Sequence, residues 1–150
     1  MRILALDTST EYLSIALRLD GDTLSRDLRA GQQHSELMLP LVQELLAEAG
    51  ASLRALDCIA FGQGPGTFTG LRIGCGAAQG LAFGADLPVA PVSTLLALAE
   101  GSRETRVVAC LDARMGEVYH AAYRREEGAW REIHAPGLYS PQDIPLMPGE

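Results

Sequence analysis

Cysteine is scarce in this chain. Cys58, Cys75 and Cys110 are odd in number, widely spaced and each set in an apolar segment. That pattern excludes a disulfide frame and a zinc site, and it suits reduced core thiols in the cytoplasm. No apolar run is long enough to span a bilayer, and no charged-then-apolar leader with a small-residue cleavage site opens the chain. The expected location is therefore cytoplasmic, without membrane contact. Basic charge is in deficit: the net charge is −7 and the pI about 4.9. A free chain of that charge repels phosphate backbones, so it is not expected to bind nucleic acid alone. Local catalytic signatures are missing too, with no His-Glu-x-x-His, no Gly-x-Ser-x-Gly elbow and no Cys/His pairing. Internal repeats and low-complexity segments are likewise absent.

What the sequence does hold is 47% hydrophobic residues in 150, enough to bury a core in one domain or two small ones. It is organised around Gly62-Gln63-Gly64-Pro65-Gly66-Thr67-Phe68-Thr69-Gly70-Leu71-Arg72-Ile73-Gly74, which follows the apolar run Cys58–Phe61. Strand, glycine-rich turn and helix together present backbone N–H groups to an anion. The spacing nevertheless fits neither phosphate code. The stretch has no Walker lysine, and Thr67 stands where a dinucleotide fingerprint needs its third glycine. The helix expected next carries Gly70, Gly74, Gly76, Gly80 and Gly84, which costs on the order of 5 kcal/mol of intrinsic helix stability. At about 100° per residue these glycines and Ala77 share roughly 160° of arc with Ile73 and Leu81. Such a face admits another backbone at close range, either the chain's own sheet or a partner helix.

Gly64 to Gly74 resembles the Gly-Pro-Gly-Ser/Thr-Phe-Thr-Gly-Leu-Arg-Ile-Gly element of the bacterial TsaB proteins, also called YeaZ. These are relatives of the TsaD group once filed as glycoproteases. Gln33-His34-Ser35-Glu36, Pro91-Val92-Ser93-Thr94-Leu95, Asp112-Ala113-Arg114 and Glu117-Val118-Tyr119 extend the likeness from Met1 to about Tyr123. The resemblance implies a non-catalytic partner of TsaD, acting with TsaE to install threonylcarbamoyl on the tRNA adenosine beside the anticodon. It implies a homodimer through the same helical face when TsaD is absent, and tRNA contact only through the complex. No cofactor is implied, save weak ATP or ADP binding within the complex. The interface then comprises His34, Met38, Leu41, Leu45, Thr69, Arg72, Ile73, Gly74, Ala77, Gly80 and Leu81.

At the N-terminus, Arg2–Asp7, Tyr12–Leu19 and Thr23–Arg29 read as three antiparallel strands, with an Asp-Gly hairpin signal at Asp20-Gly21. Three strands opening with an acid resemble the first phosphate hairpin of the actin, hexokinase and Hsp70 superfold. There the acid is followed by a glycine that admits a phosphate, whereas here Thr8 and Ser9 stand in its place. Asp7, Thr8 and Ser9 are the candidates for a vestigial nucleotide site, Asp7 alternatively being a turn residue that caps nearby N–H groups. A helix is expected from Ser35 as cap to Gly50, with Pro40 forcing a bend or a later start. Its apolar positions cover roughly 200° of arc, more than one buried face requires. His34 lacks the His-x-x-x-His partner that metal binding needs, position 38 being Met38, and His120 and His134 are remote.

After Gly84 the residues near Val89–Val92 read as a short strand, followed by a helix from Leu95 to about Glu100 capped by Ser93 or Thr94. The polar run Gly101–Thr105 marks a domain boundary at 103/104. Val107–Arg114, Gly116–Tyr123 and Trp130–Ile133 read as strands of a second lobe. That lobe is expected to be incomplete, with one sheet face poorly shielded. The fold expected is α/β: an actin/Hsp70-like, ribonuclease-H-type lobe over residues 1–103 (mixed sheet flanked by helices), then the start of a second such lobe over 104–150. Two other readings stay open. One is an ATP-binding phosphotransferase using Asp7, with Asp112 facing it across a cleft, and the other is a self-associating fold without chemistry.

Overall fold

A computed structural model of the chain describes residues 1–147. Its contacts divide it into two units, one of Met1–Gln63 with Thr67–Val92, the other of Gly64–Gly66 with the chain from Ser93 onward.

The first unit opens with β1 (Arg2–Asp7), β2 (Tyr12–Leu19) and β3 (Asp22–Arg29), an antiparallel meander with Arg2 opposite Leu19 and Tyr12 opposite Arg29. Asp20 and Gly21 both take positive φ, as a two-residue hairpin that follows the strand twist demands. Alternation on β1 and β2 sends Leu4, Leu6, Leu13, Ile15 and Leu17 to one face. On that face lies α1 (His34–Glu48), which contributes Met38, Val42 and Leu45 to the same core. β4 (Cys58–Gly64) then pairs parallel to β1, Ile3 opposite Cys58 and Leu6 opposite Phe61. α2 (Phe68–Ala85) follows, and β5 (Val89–Ser93) completes the strand order β3-β2-β1-β4-β5. An antiparallel meander extended by a parallel strand, with helices joining the pieces, is the ribonuclease-H-type lobe expected from the sequence.

The start of α1 departs from expectation. The N-cap of α1 is Gln33, not Ser35, and the helix begins ahead of Pro40 and runs through it. Pro40 is exposed, so its ring and missing N–H face water and not the core. Gly50, with positive φ, donates its N–H to Ala47 O at 3.1 Å and closes the helix as expected.

The second unit contains α3 (Thr94–Gly101) and the antiparallel strands β6 (Arg106–Arg114), β7 (Glu117–Glu126) and β8 (Ala129–Tyr139). Ser93 caps α3, its Oγ accepting from Leu96 N–H. Leu95 and Ala99 of α3 share a core with Ala109, Ala121 and Tyr123. Glu100 accepts hydrogen bonds from Trp130 Nε1–H at 2.6 Å and from Arg125, which hold its carboxyl below the usual range. These contacts group α3 with the second unit, so the division falls at Val92/Ser93 and not at 103/104. β8 is also longer than the expected Trp130–Ile133. As an edge strand it tolerates Pro136, and a register shift between the His120 and Ala122 pairs takes up the irregularity. Among the described residues no helix is long and apolar enough to cross a membrane.

Candidate functional site

The turn from β1 to β2 and the first turns of α2 form one packed unit. The Asp7 carboxylate, at the end of β1, accepts at Oδ1 from the Ser9 amide at 2.9 Å and from the Ser9 hydroxyl at 2.6 Å. This is the cap-like role that a short acid plays in a tight turn. Thr8 and Ser9 are buried. The Thr8 hydroxyl donates to the Gly70 carbonyl at 2.6 Å, and Thr67 N–H donates to Ser9 O at 2.8 Å.

Three glycines permit this closeness. A Cβ on Gly70 would lie 2.0 Å from the Thr8 carbonyl oxygen, and one on Gly74 would lie 2.5 Å from the Thr8 hydroxyl. A Cβ on Gly62 would lie 2.1 Å from Asp7 Oδ2. The backbone of α2 therefore fills the space above Thr8. Here the acid and the Ser9 hydroxyl serve the turn's internal hydrogen bonding, and the Thr8 hydroxyl ties the turn to α2.

The single glycine face read from the sequence splits in two. Gly70 and Gly74 point inward with Ala78, Ala82 and Ala85. Gly76, Gly80 and Gly84 face outward, where an added methyl would meet no described residue within 4 Å. Ile73, Ala77 and Leu81 lie between, half-buried against the core. Thr69 and Arg72 share the exposed side with the outward glycines, as do Phe68 and Phe83, the latter 92% exposed. The Arg72 guanidinium lies 3.8 Å from the Phe68 ring centroid. Phe68 and Phe83 were not among the expected interface residues. A helical wheel places both on the exposed arc with Arg72, Gly76 and Gly80, and that was the signal available.

On α1 the correction is larger. Met38 is 1% exposed and Leu45 0%, both inside the core of their own unit, and Leu41 is half-buried. A helix facing its own sheet uses these positions first, so a second surface cannot reach Met38, Leu45 or Gly74 while the unit is folded. His34 is buried as well, and its Nε2–H donates to the Tyr12 carbonyl at 3.1 Å, tying the start of α1 to β2.

In the second unit Asp112 closes the end of β6. Its Oδ1 accepts from Arg114 N–H at 2.8 Å, and its carboxylate pairs with the Arg114 side chain at 3.7 Å. Cys58 and Cys75 are half-buried, but Cys110 is exposed on β6 and is not the core thiol expected. Partial burial still pushes the Cys110 thiol up.

Topology and turn together define a ribonuclease-H-type lobe of the actin/Hsp70 superfold whose first hairpin is closed by its own glycine helix. The family model described as TsaD, tRNA N6-adenosine threonylcarbamoyltransferase, matches residues 28–149. The tRNA threonylcarbamoyladenosine biosynthesis protein TsaB of Escherichia coli K12 is 47% identical over 149 residues, spanning 96% of this chain and 64% of that protein. Its counterpart in Haemophilus influenzae is 46% identical, spanning 95% of this chain and 65% of that protein. A solved structure of YeaZ from Pseudomonas aeruginosa superposes with a TM-score of 0.91 at 45% identity, over 97% of this chain and 70% of that one. The chain belongs to the TsaB (YeaZ) family. It spans just under two thirds of the length of those two curated relatives.

Proposed function

We propose that this chain serves tRNA threonylcarbamoyladenosine synthesis as a partner subunit, contributing binding surface to TsaD and leaving the chemistry to it. The observation that carries this reading is the closed turn. Asp7 Oδ1 already accepts two hydrogen bonds from Ser9, and α2 lies against Thr8 where a phosphate would have to enter. An acid used as a structural acceptor, beneath a helix backbone, is poorly placed to hold a metal-bound water or a phosphoryl group. The relatives' names tie the family to the modification pathway, and the family model is that of the transferase itself.

The partner surface in this reading is the exposed arc of α2, with Thr69, Arg72 and Gly80 flanked by Phe68 and Phe83, and with Leu41, Ile73, Ala77 and Leu81 along its edge. Outward glycines let a second helix approach to backbone distance, and the exposed aromatic rings supply apolar area that water alone now covers. TsaD occupies this surface in the working complex, TsaE joins the assembly, and a second copy of the chain takes the surface when TsaD is absent. Transfer RNA is met only through the complex, as the net charge of −7 favours. ATP or ADP binds weakly, and only within the complex.

A reconstituted threonylcarbamoylation assay with subunits near their dissociation constant tests this. Asp7→Ala should keep most of the modification, and Gly80→Leu should lose it. Loss of modification in Asp7→Ala with the complex intact would give the acid a chemical role and favour a phosphotransferase.

A further inference from the structure

Among the described residues the sheets end at β3, β5, β6 and β8, and three of these edges are blunted against further pairing. β3 carries Asp22, Arg26, Asp27 and Arg29, β5 is five residues long with Pro91 inside it, and β8 contains Pro136. β6 has neither device at its centre. From Val107 to Leu111 it holds no charge and no proline, and charge enters only at Arg106, Asp112 and Arg114. No described strand lies along its outer edge.

The register with β7 shows which backbone groups that edge presents. Arg125 N–H donates to the Thr105 carbonyl at 2.7 Å, and pairing runs without a shift from Arg106 opposite Arg124 to Asp112 opposite Val118. Hydrogen-bonded pairs alternate along an antiparallel ladder. Val107, Ala109 and Leu111 therefore bond to β7, while Arg106, Val108, Cys110 and Asp112 turn their N–H and C=O groups outward. The side chains divide in the same way. Val107, Ala109 and Leu111 share the core of the second unit with Leu95 and Ala99 of α3, and the other four are exposed.

We propose that a second copy of this chain pairs with β6, antiparallel about Ala109, and joins the two three-stranded sheets into one. An outward-turned residue must oppose another outward-turned residue, which leaves few symmetric registers. Centred on Cys110, the strands would set Arg106 against Arg114 and Val108 against Asp112. Centred on Val108, they would set Asp112 against Glu104. Centred on Ala109, Arg106 of each copy opposes Asp112 of the other, and Val108 opposes Cys110. Opposite charges directly across a strand pair favour this register, and like charges disfavour its neighbours. The pairing also takes the exposed Val108 side chain partly out of water. Asp112 already holds Arg114 at 3.7 Å, a loose and exposed pair that leaves its carboxylate able to accept a second cation. The contact is separate from the outward face of α2, which belongs to the first unit.

Sedimentation equilibrium of the full chain carrying Gly80→Leu, which blocks the helical face, tests the pairing. This chain should still dimerise. Arg106→Asp or Asp112→Arg, added singly, should each raise the dimer dissociation constant by about tenfold or more, because like charges then face one another twice. Mixing the two single variants should restore dimers, since each copy then meets an opposite charge at both positions. Val108→Pro removes an outward N–H and no bond to β7, and it should leave monomers only.

A Gly80→Leu chain that sediments as a monomer would overturn the proposal. If the native chain is then dimeric, self-association belongs to the α2 face. Dimers indifferent to both charge variants, or a mixture that associates no better than either variant alone, would overturn it equally. The charge variants alter exposed side chains, so they decide the question should Val108→Pro fail to fold.

Discussion

The Thr8 hydroxyl donates to the Gly70 carbonyl across 2.6 Å, binding the first hairpin of the sheet to the first turn of the glycine helix. The contact requires that Gly70 and Gly74 carry no side chain, because a methyl on either would meet Thr8 within 2.5 Å. The glycines of one helix thus divide into those the fold needs and those it leaves open to something else.

The division is measurable by denaturation. Gly70→Ala should destabilise the protein by about 1–3 kcal/mol or more, since the obstructing atom is a backbone oxygen that cannot rotate away. Gly76→Ala and Gly80→Ala should each stabilise the isolated chain by about 0.5–1 kcal/mol, through helix propensity with nothing to clash against. Urea midpoints that move together in all three variants would contradict the split.

Met38 and Leu45 should behave as core residues. Alanine at either should cost about 2–5 kcal/mol, whereas Leu39→Ala, on the exposed side of the same helix, should stay within about 0.5 kcal/mol. Thermal unfolding of the three variants distinguishes a core face from an interface face. Comparable stability in all three would return Met38 and Leu45 to the interface.

Much of this was legible from residues alone. Alternation in Tyr12–Leu19, the Asp-Gly turn and the apolar run before Gly62 were enough to place four strands and the helix between them. Local signals failed where tertiary contacts decide. The glycine arc of α2 looked continuous because a wheel shows angular position and not which neighbour occupies it. Thr8 takes the Gly70–Gly74 side, and nothing in the spacing of the glycines says so. Met38 and Leu45 looked available because the apolar arc of α1 is wide, yet the sheet takes its centre and leaves only the margins. The assignment of α3 to the second unit turned on Leu95 and Ala99 meeting β6 and β7, a contact that the polar run at Gly101–Thr105 concealed.

Asp7 should prove structural. Asp7→Ala strips the acceptor from the Ser9 amide and hydroxyl and should cost about 1–3 kcal/mol of stability. Asp7→Asn, which keeps a carbonyl acceptor, should recover part of that loss. Calorimetric titration of the isolated chain with Mg-ATP should show no micromolar binding in any of the three forms. Micromolar binding that disappears in Asp7→Ala would reverse the assignment.

The outward face of α2, as the surface that meets TsaD, is the feature on which the proposed function most depends. The affinity of TsaD for the native chain and for Gly80→Leu, measured by sedimentation at concentrations spanning the dissociation constant, tests it most directly. A leucine where a partner backbone should pass is predicted to weaken binding by roughly 30- to 1000-fold, or about 2–4 kcal/mol, while the variant alone remains folded. An unchanged dissociation constant for a folded Gly80→Leu would contradict that role for the helix.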